Sequence, residues 1–258
     1  LPLGCCENQG EGVDGYCDVP DPEAVLLAFV TQTTFGEVAV VDLDEGEIID
    51  QDTRIPLNSF IPVGGQPSDI AASWDGSHVY TANFETEDVS VIDVAEAFGP
   101  TMVPASAIDI GGPGGRIAVA KAPSIRDRFL FVTQPTLGRV AVVQVGDASE
   151  FADGGAGDAT PRLLGYLRLD AATALPHAPL DDTVEGIIPW AIQASEVTPS
   201  LYVGGKNGKY ILEIDTEVLV NEALALDTPG PLSENAIVRR MELGDFTTRA
   251  FSIEPDLE

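Results

Sequence analysis

Hydrophobic positions along this chain fall in short runs, with no long helical stripe among them. Runs of β-branched residues lie at 38–41, 89–92 and 140–143. Each follows a shorter β-rich run across a turn, and two such runs joined by a turn are typical of a β-hairpin. Glycine (26) and proline (19) are spread along all 258 residues, which favours many short strands.

The hairpin pattern recurs at a fixed spacing. Residues 29–43 (FVTQTTFGEVAVVDL) and 131–145 (FVTQPTLGRVAVVQV) are identical at ten of fifteen positions, 102 residues apart. A third copy, YTANFETEDVSVIDV, lies halfway between them, and a weaker fourth copy, YVGGKNGKYILEID, follows after 71 more residues. We expect the roughly twenty extra residues within 146–160 and 170–186. A constant period of this kind predicts a repeat architecture.

Each repeat also holds two further strand-like runs. The run after the hairpin lies at 55–63, 105–110, 163–169 and 237–243, and a small-residue run lies at 69–73, 116–120, 191–195 and 250–253. Four short strands per repeat match the plan of a β-propeller blade. The sequence therefore predicts an all-β fold, a β-propeller of four-stranded antiparallel blades, about four of which are visible.

The predicted boundaries follow from these repeats. An acidic, cysteine-containing segment comes first and the blades follow, at 1–23, 24–66, 67–113, 114–186 and 187–246, with a final strand at 247–256. The first blade has no small-residue strand of its own. The final strand either completes that blade in a closed four-bladed ring, which removes exposed sheet edges, or the sequence is part of a longer chain of roughly seven blades.

The second copy carries the most specific motif. The pattern P..IA.SWDG..VYTAN.....VSVID between Pro67 and Asp93 resembles the YVTN repeat of surface-layer-type and lactonase-like β-propellers. The resemblance covers roughly residues 24–258, although Gln32 and Gln134 replace the asparagine in two other copies. It implies the fold and hardly specifies a function.

Charge narrows the choice of partners. The chain has 42 acidic and 13 basic residues, a net charge of −29. Such a surface repels phosphate backbones and anionic lipid headgroups, so we predict no nucleic-acid partner. It favours cations and protein partners with basic faces. No run of 18 apolar residues occurs, so no transmembrane segment is predicted.

All three cysteines, Cys5, Cys6 and Cys17, precede the first blade. Neighbouring cysteines rarely pair, so we expect a disulfide from Cys5 or Cys6 to Cys17, formed in an oxidising compartment. The protein is therefore predicted to be exported, to the periplasm, to the extracellular space or to the cell surface. A lipid anchor at Cys5 is less favoured, because Leu3 lies one place too close for a lipoprotein cleavage site.

One acidic turn is a weak calcium candidate. Its ligands would be Asp42, Asp44, Glu47 and Asp50. The start resembles an EF-hand loop, but Thr53 stands where the bidentate glutamate belongs. The favoured interpretation is a solvated turn, and no cofactor is predicted.

Two groups of residues are candidate binding surfaces. The small-residue strand is usually innermost in the family, so the resemblance places its first residues around the channel mouth, at Asp69, Arg116, Trp190 and Arg249. These either bind a small polar ligand or a partner loop, or pair with each other and close the channel. The one basic patch, which also includes Arg116, is a candidate docking face for an acidic neighbour, with surface solubilisation as the alternative; its other members are Lys121, Arg126, Arg128 and Arg139.

No nucleophile elbow, P-loop, HExxH or haem-attachment motif occurs in the sequence, so no catalytic residue is predicted. We therefore expect an exported, non-catalytic propeller that acts as a binding or scaffold module, for example as a subunit of a cell-surface or periplasmic assembly. The long loops 95–104 and 146–160 would carry its specificity. The alternative is a lactonase-like enzyme with its active site at the channel mouth.

Overall fold

Four antiparallel β-sheets follow one another along the chain. The computed structural model describes residues 25–52, 54, 59–98, 103–126, 128–146, 160–169, 187–206 and 210–242. Each sheet contains one of the four repeat copies as a hairpin. This confirms the prediction of an all-β fold built from four-stranded antiparallel units.

The first eight strands form the first two sheets, four strands in each. They are β1 (Leu27–Gln32), β2 (Glu37–Asp42), β3 (Glu47–Ile48) and β4 (Ile61–Pro62), then β5 (Pro67–Ala72), β6 (His78–Asn83), β7 (Asp88–Asp93) and β8 (Ser106–Asp109). In the first sheet β3 and β4 both pair with β2. The run predicted at 55–63 therefore supplies only the short β4, and residues 55–58 lie outside the described part.

The other two sheets contain the remaining strands. The third sheet has β9 (Ile117–Val119), β10 (Phe129–Gln134), β11 (Arg139–Gln144) and β12 (Arg162–Arg168). The fourth has β13 (Pro189–Ala194), β14 (Ser200–Gly205), β15 (Tyr210–Asp215) and β17 (Ile237–Glu242). Helix α1 (Thr216–Leu224) and strand β16 (Gly230–Leu232) lie between β15 and β17 along the chain. Among the described residues, single-turn 3₁₀ helices lie at Glu96–Phe98, Pro135–Leu137 and Glu234–Ala236. The first and third hairpins share one register, with Phe29 opposite Val40 and Phe131 opposite Val142.

Helix α1 and strand β16 were not predicted. The Asp215 carboxylate accepts hydrogen bonds from the N–H groups of Glu217 and Val218, which caps the helix. Strand β16 then pairs in parallel with β12 as a fifth strand of the third sheet. No helix in the described ranges is long and apolar enough to cross a membrane.

Apolar seams join consecutive sheets. Strand β5 contacts β9, and β9 contacts β13, so the small-residue strands lie side by side. Between the second and third sheets, Tyr80 and Ala82 pack with Ile117 and Val132, all of them buried. Each square ångström of apolar surface removed from water stabilises the fold by about 25 cal/mol, so these seams hold the sheets together.

Buried amides fix the turns between sheets. Asn83 Nδ2 donates to Ser90 Oγ (2.8 Å), and Ser90 Oγ also accepts from Gly64 N (3.0 Å), at the turn that leads into the second sheet. Gln134, one methylene longer, donates directly to the carbonyls of Ile110 and Gly112 at the next turn. Both amide side chains are fully buried, so their hydrogen bonds replace those lost to water.

Glycine lies where these turns approach the hairpins. A Cβ added at Gly64 would overlap Thr86 Oγ1 and Asp88 Oδ1. A larger residue at position 64 therefore requires both of these side chains to move.

Replacing Asn83 by alanine should destabilise the protein by about 1–3 kcal/mol, because the buried groups that it contacts lose their hydrogen bonds. Urea unfolding would measure the change. Asn235→Ala, which truncates an exposed asparagine, is the matched control and should change stability by less than about 0.5 kcal/mol. Equal effects of the two substitutions would contradict the role of Asn83.

Candidate functional site

Asp69 and Arg116, two of the predicted channel-mouth residues, lie in contact. Arg116 Nη1 is 3.2 Å from Asp69 Oδ1, and Asp69 Oδ2 accepts a hydrogen bond from Ile117 N at 3.0 Å. Asp69 belongs to β5 and Arg116 precedes β9, so the pair joins the second sheet to the third. Both carboxylate oxygens therefore have partners within the chain.

Ser68, which the sequence did not single out, reinforces this junction. Its Oγ lies within hydrogen-bond distance of three carbonyl oxygens, those of Ala82 (2.9 Å), Gly114 (2.9 Å) and Gly115 (2.6 Å). A serine hydroxyl has one proton and donates to one of them at a time. The available signal was a small polar residue next to Pro67 within the repeat motif.

Trp190 and Arg249 are the other two channel-mouth candidates. Trp190 lies in β13, half-buried, and the Nζ atom of Lys206 is 4.5 Å from the centroid of its ring. A cation at this distance from an indole face is attracted by the ring quadrupole. Arg249 lies outside the described residues. The structure therefore brings together Asp69 with Arg116, and Trp190 with a lysine that the sequence did not indicate.

The residues of the predicted basic docking patch contact other residues of the same chain. Lys121 Nζ lies 2.7 Å from Glu196 Oε1, which joins the third sheet to the fourth. The Arg126 guanidinium stacks on Trp74 at 4.7 Å, which joins the third sheet to the second. Arg128 also has an interaction within the chain.

Arg139, the last member of the patch, holds a turn. It donates from Nε to Gln134 Oε1 (2.6 Å) and from Nη2 to Gly111 O (2.8 Å), and it stacks on Tyr166 at 4.1 Å. Burial lowers the pKa of Arg139, but an arginine remains protonated at neutral pH. The patch therefore consists of contacts between and within sheets, and docking of an acidic neighbour stays a prediction.

The acidic turn uses its carboxylates for local hydrogen bonds. Asp42 Oδ1 accepts from the N–H groups of Asp44 (2.9 Å) and Glu45 (3.1 Å), and Asp44 Oδ2 accepts from Leu26 N (3.2 Å). Glu47 lies opposite Asp42 in the β2–β3 pair. Within the described ranges, no three metal-binding side chains lie close enough to hold an ion, so the geometry lends the calcium hypothesis no support.

Asp50 and the cysteines complete the predicted set. Asp50 Oδ1 accepts a hydrogen bond from Asp52 N at 3.3 Å, which is a local turn contact like those before it. Cys5, Cys6 and Cys17 lie outside the described residues, so their disulfide and the lipid anchor at Cys5 stay predictions.

Serine, aspartate and histidine meet at the turn before β6. Ser73 Oγ and Ser77 Oγ lie 2.6 and 2.7 Å from Asp75 Oδ1, and Ser77 Oγ is also 2.7 Å from His78 Nδ1. In a catalytic triad the imidazole lies between the serine and the carboxylate. Here both hydroxyls contact the carboxylate directly, so the cluster stabilises a turn.

The hydrogen bonds of this cluster lower the pKa of Asp75. Burial alone raises the pKa of Asp75, but the hydrogen bonds from Ser73 and Ser77 outweigh it and hold the pKa below its usual value of 3.8. Hydrogen bonds to the ionised form always act in this direction.

Comparison with known proteins shows the fold alone. No family model and no curated protein matches the chain. The β-propeller domain of Cps50 (Swd1) from Myceliophteria thermophila is 11% identical with a TM-score of 0.50, and the match covers 92% of this chain and 66% of that domain. The chain therefore has a β-propeller fold, while membership of the YVTN-repeat family stays a prediction.

Two weaker structural matches have TM-scores below 0.5. Hydrazine synthase from Kuenenia stuttgartiensis is 14% identical, with a TM-score of 0.37 over 94% of this chain and 92% of that one. Dihydro-heme d1 dehydrogenase NirN is 18% identical, with a TM-score of 0.49 over 89% of this chain and 38% of that one. Likenesses at this level carry no functional conclusion.

Asp69→Ala should cost about 1–3 kcal/mol, because it leaves Ile117 N without its acceptor. Arg116→Ala should cost less than about 1 kcal/mol, since half-exposed ion pairs contribute little. Urea unfolding of both single variants and the double variant would give the coupling energy, expected at about 0.2–1 kcal/mol. A larger loss for Arg116→Ala than for Asp69→Ala would contradict this ranking.

Asp75 should titrate below its ordinary pKa, which carbon-13 NMR of the carboxyl group would measure directly. Because the folded-state pKa is depressed, the group stabilises the fold above its ordinary pKa of 3.8, and this contribution is lost as the pH falls through the folded-state pKa. Removing both hydroxyls with Ser73→Ala and Ser77→Ala should raise the midpoint. An unchanged midpoint in that double variant would show that the hydroxyls are not the cause.

Proposed function

We propose that this β-propeller is an exported, non-catalytic module that binds a protein partner, as a subunit of a cell-surface or periplasmic assembly. The observation that carries the proposal is the distribution of charge. Most cations in the described ranges contact carboxylates or aromatic rings of the same chain, as Arg239 does with Glu213 (2.7 Å) and Arg240 with Tyr210 (3.2 Å). With a net charge of −29, the outer surface is left acidic. A partner with a basic face complements it.

One face of the propeller combines apolar anchors with this acidic surface. The turns that follow β1, β6 and β10 expose Phe35 (74% exposed), Phe84 (41%) and Leu137 (41%). Exposed Glu85 and Glu87 flank Phe84. Apolar residues surrounded by charge are the usual anatomy of a protein interface, so this face, hereafter the turn face, is the proposed docking surface.

Adjacent turns of this face are continuous through the glycine turns between sheets. A Cβ at Gly36, in the first turn, would lie 3.3 Å from Gly64 O, and one at Gly64 would meet Thr86 of the second turn. Gly112 approaches Leu137 of the third turn in the same way. A partner can therefore contact all three turns at once.

A non-catalytic role is supported by the channel-mouth residues. An active site needs polar groups with capacity left for a substrate, whereas Asp69 binds Arg116 and Ile117 N. Export is supported by the cysteines, which are confined to the segment before the blades. The lactonase-like alternative is supported by the resemblance to the YVTN repeat.

Site-specific photo-crosslinking in the native cell tests the docking surface. A benzoylphenylalanine at position 84 should form an adduct with one protein species, while the same group at exposed Leu43, at the opposite end of the strands, should not. Glu85→Lys with Glu87→Lys should reduce the adduct at position 84 at least about tenfold, because it places like charge against a basic partner. Equal adducts at positions 84 and 43 would contradict the assignment.

A hydrolysis assay completes the test. The purified protein should hydrolyse gluconolactone and γ-butyrolactone no faster than buffer does. Saturable hydrolysis that Asp69→Asn abolishes, and that the Glu85→Lys and Glu87→Lys variant retains, would establish the lactonase-like alternative instead.

A further inference from the structure

Strand β12 of the third sheet has a further strand of the same chain on its outer side. Strand β16 pairs with it in parallel, with Gly165 opposite Gly230 and Leu167 opposite Leu232. Helix α1 connects β15 of the fourth sheet to the segment that contains β16. The third sheet therefore accepts a fifth strand that comes from outside its own four.

Strand β8 is the equivalent outer strand of the second sheet, and among the described residues no further strand pairs with it. The two outer strands can be aligned by the residue that follows each of them. Ile110 and Leu169 both donate an N–H hydrogen bond to the carbonyl oxygen of the residue before the third strand of their sheet. Counting back from these residues places Ser106–Ile108 at the positions of Gly165–Leu167, which pair with β16.

The backbone groups on the outer side of β8 belong to Ala107 and Asp109. Backbone groups of an antiparallel strand point alternately toward one neighbouring strand and toward the other side. Because Ile110 donates toward β7, Ile108 does so as well. Ala107 and Asp109 alternate with them, so their N–H and C=O groups point away from the sheet, and both residues are exposed. Unpaired groups of this kind are a template for a further strand.

A cleft of about 470 Å³ lies beside this edge, between β8 and the start of β12. Its lining includes the apolar side chains of Ala107, Leu163 and Leu226. The volume is within the range of about 300–1,000 Å³ that is usual for binding sites. Successive side chains of an extended segment point to opposite faces, so every second side chain of an added strand can enter the cleft.

Charge favours a basic segment of another protein at this edge. Asp109 and Asp227 are exposed and line the cleft, and Arg162 is the one base among its described lining residues. The net charge of the whole chain is −29. Residues 147–159 of the same chain contain four acidic residues and no base, so they would bring like charge to these two aspartates. A partner with lysine or arginine brings the opposite charge.

We propose that the outer edge of β8 binds an extended segment of a partner protein as an added strand, and that this segment alternates basic and apolar residues. Hydrogen bonds to the backbone of Ala107 and Asp109 supply affinity, and the side chains that enter the cleft supply specificity. The contact lies on the outer side of the second sheet. It is separate from the turn face and goes beyond the docking surface proposed above.

A synthetic peptide tests the site. The probe is the capped, fluorescein-labelled hexapeptide KVKVKV, and its fluorescence anisotropy should show saturable binding to the full chain. The matched peptide EVEVEV should bind at least about tenfold more weakly, because it places like charge on the acidic chain.

A substitution at Ala107 tests the strand pairing. Ala107→Pro removes the outward N–H group, and an edge strand tolerates proline at such a position. It should weaken KVKVKV binding about tenfold, because a main-chain hydrogen bond is lost and the ring occupies the edge. Ala107→Ser keeps the N–H group and is the matched control, with binding equal to that of the unaltered chain.

Hydrogen exchange measured by nuclear magnetic resonance locates the peptide without any substitution. At a peptide concentration of about one hundred times its Kd, the amides of Ala107 and Asp109 should exchange about a hundredfold more slowly, because they exchange only from the free protein. Strand β17, the outer strand of the fourth sheet, contains Arg239 and Arg240 and is the internal control. Its exchange should not change.

Several results would overturn the proposal. One is the absence of saturable KVKVKV binding, and another is equal affinity for the two peptides or for the two Ala107 variants. Slow exchange of the Ala107 and Asp109 amides in the chain without peptide would assign the edge to another segment of this chain. Photo-crosslinking at position 84 reports on the turn face separately, so either proposal can fail without the other.

Discussion

The structure depends on the hydrogen bonds that hold the turn between the first and second sheets and the turn between the second and third. A sheet with buried neighbours on both faces cannot leave polar groups of the connecting turn unpaired. The second and third hairpins meet this constraint with a buried amide at the same position, Asn83 or Gln134. The two amides reach the backbone by different routes, one through Ser90 and the other directly. Both repeats thus need a hydrogen bond to the turn, and either asparagine or glutamine can supply it.

The third sheet holds its neighbours on both sides. Arg126 and Arg116 reach the second sheet, and Lys121 reaches the fourth. Ser124 Oγ also donates to the Glu217 carboxylate on α1. In a chain with so few bases, cations placed at the sheet boundaries offset the repulsion among acidic sheets. Because these cations are paired between sheets, the outer surface is left acidic. The contacts that stabilise the fold therefore also favour a partner with a basic face.

The hairpins could be predicted from the sequence because every repeat copy has two strand-like runs separated by a turn. Identical spacing in residues 29–43 and 131–145 produces the same pairing in both sheets. Helix α1 was missed although Asp215 is a good N-cap, because the repeat period led us to expect a strand after β15. The contacts of Lys121 and Arg126 could not be predicted either. A charge pattern indicates a basic patch, but only the packing of the sheets shows that Glu196 contacts Lys121 and that Trp74 contacts Arg126.

The two copies of FVTQ show why sequence patterns predict strands better than they predict burial. Strand formation is encoded within the segment, since β-branched residues and the following turn are enough to specify a hairpin. Burial depends on what lies on either side, and Val30 and Val132 have different neighbours. The hairpin of the first sheet therefore has the same strand-forming residues as that of the third, but fewer neighbours bury them. Because opening costs least where few apolar contacts are lost, local unfolding among the described sheets should begin at β1.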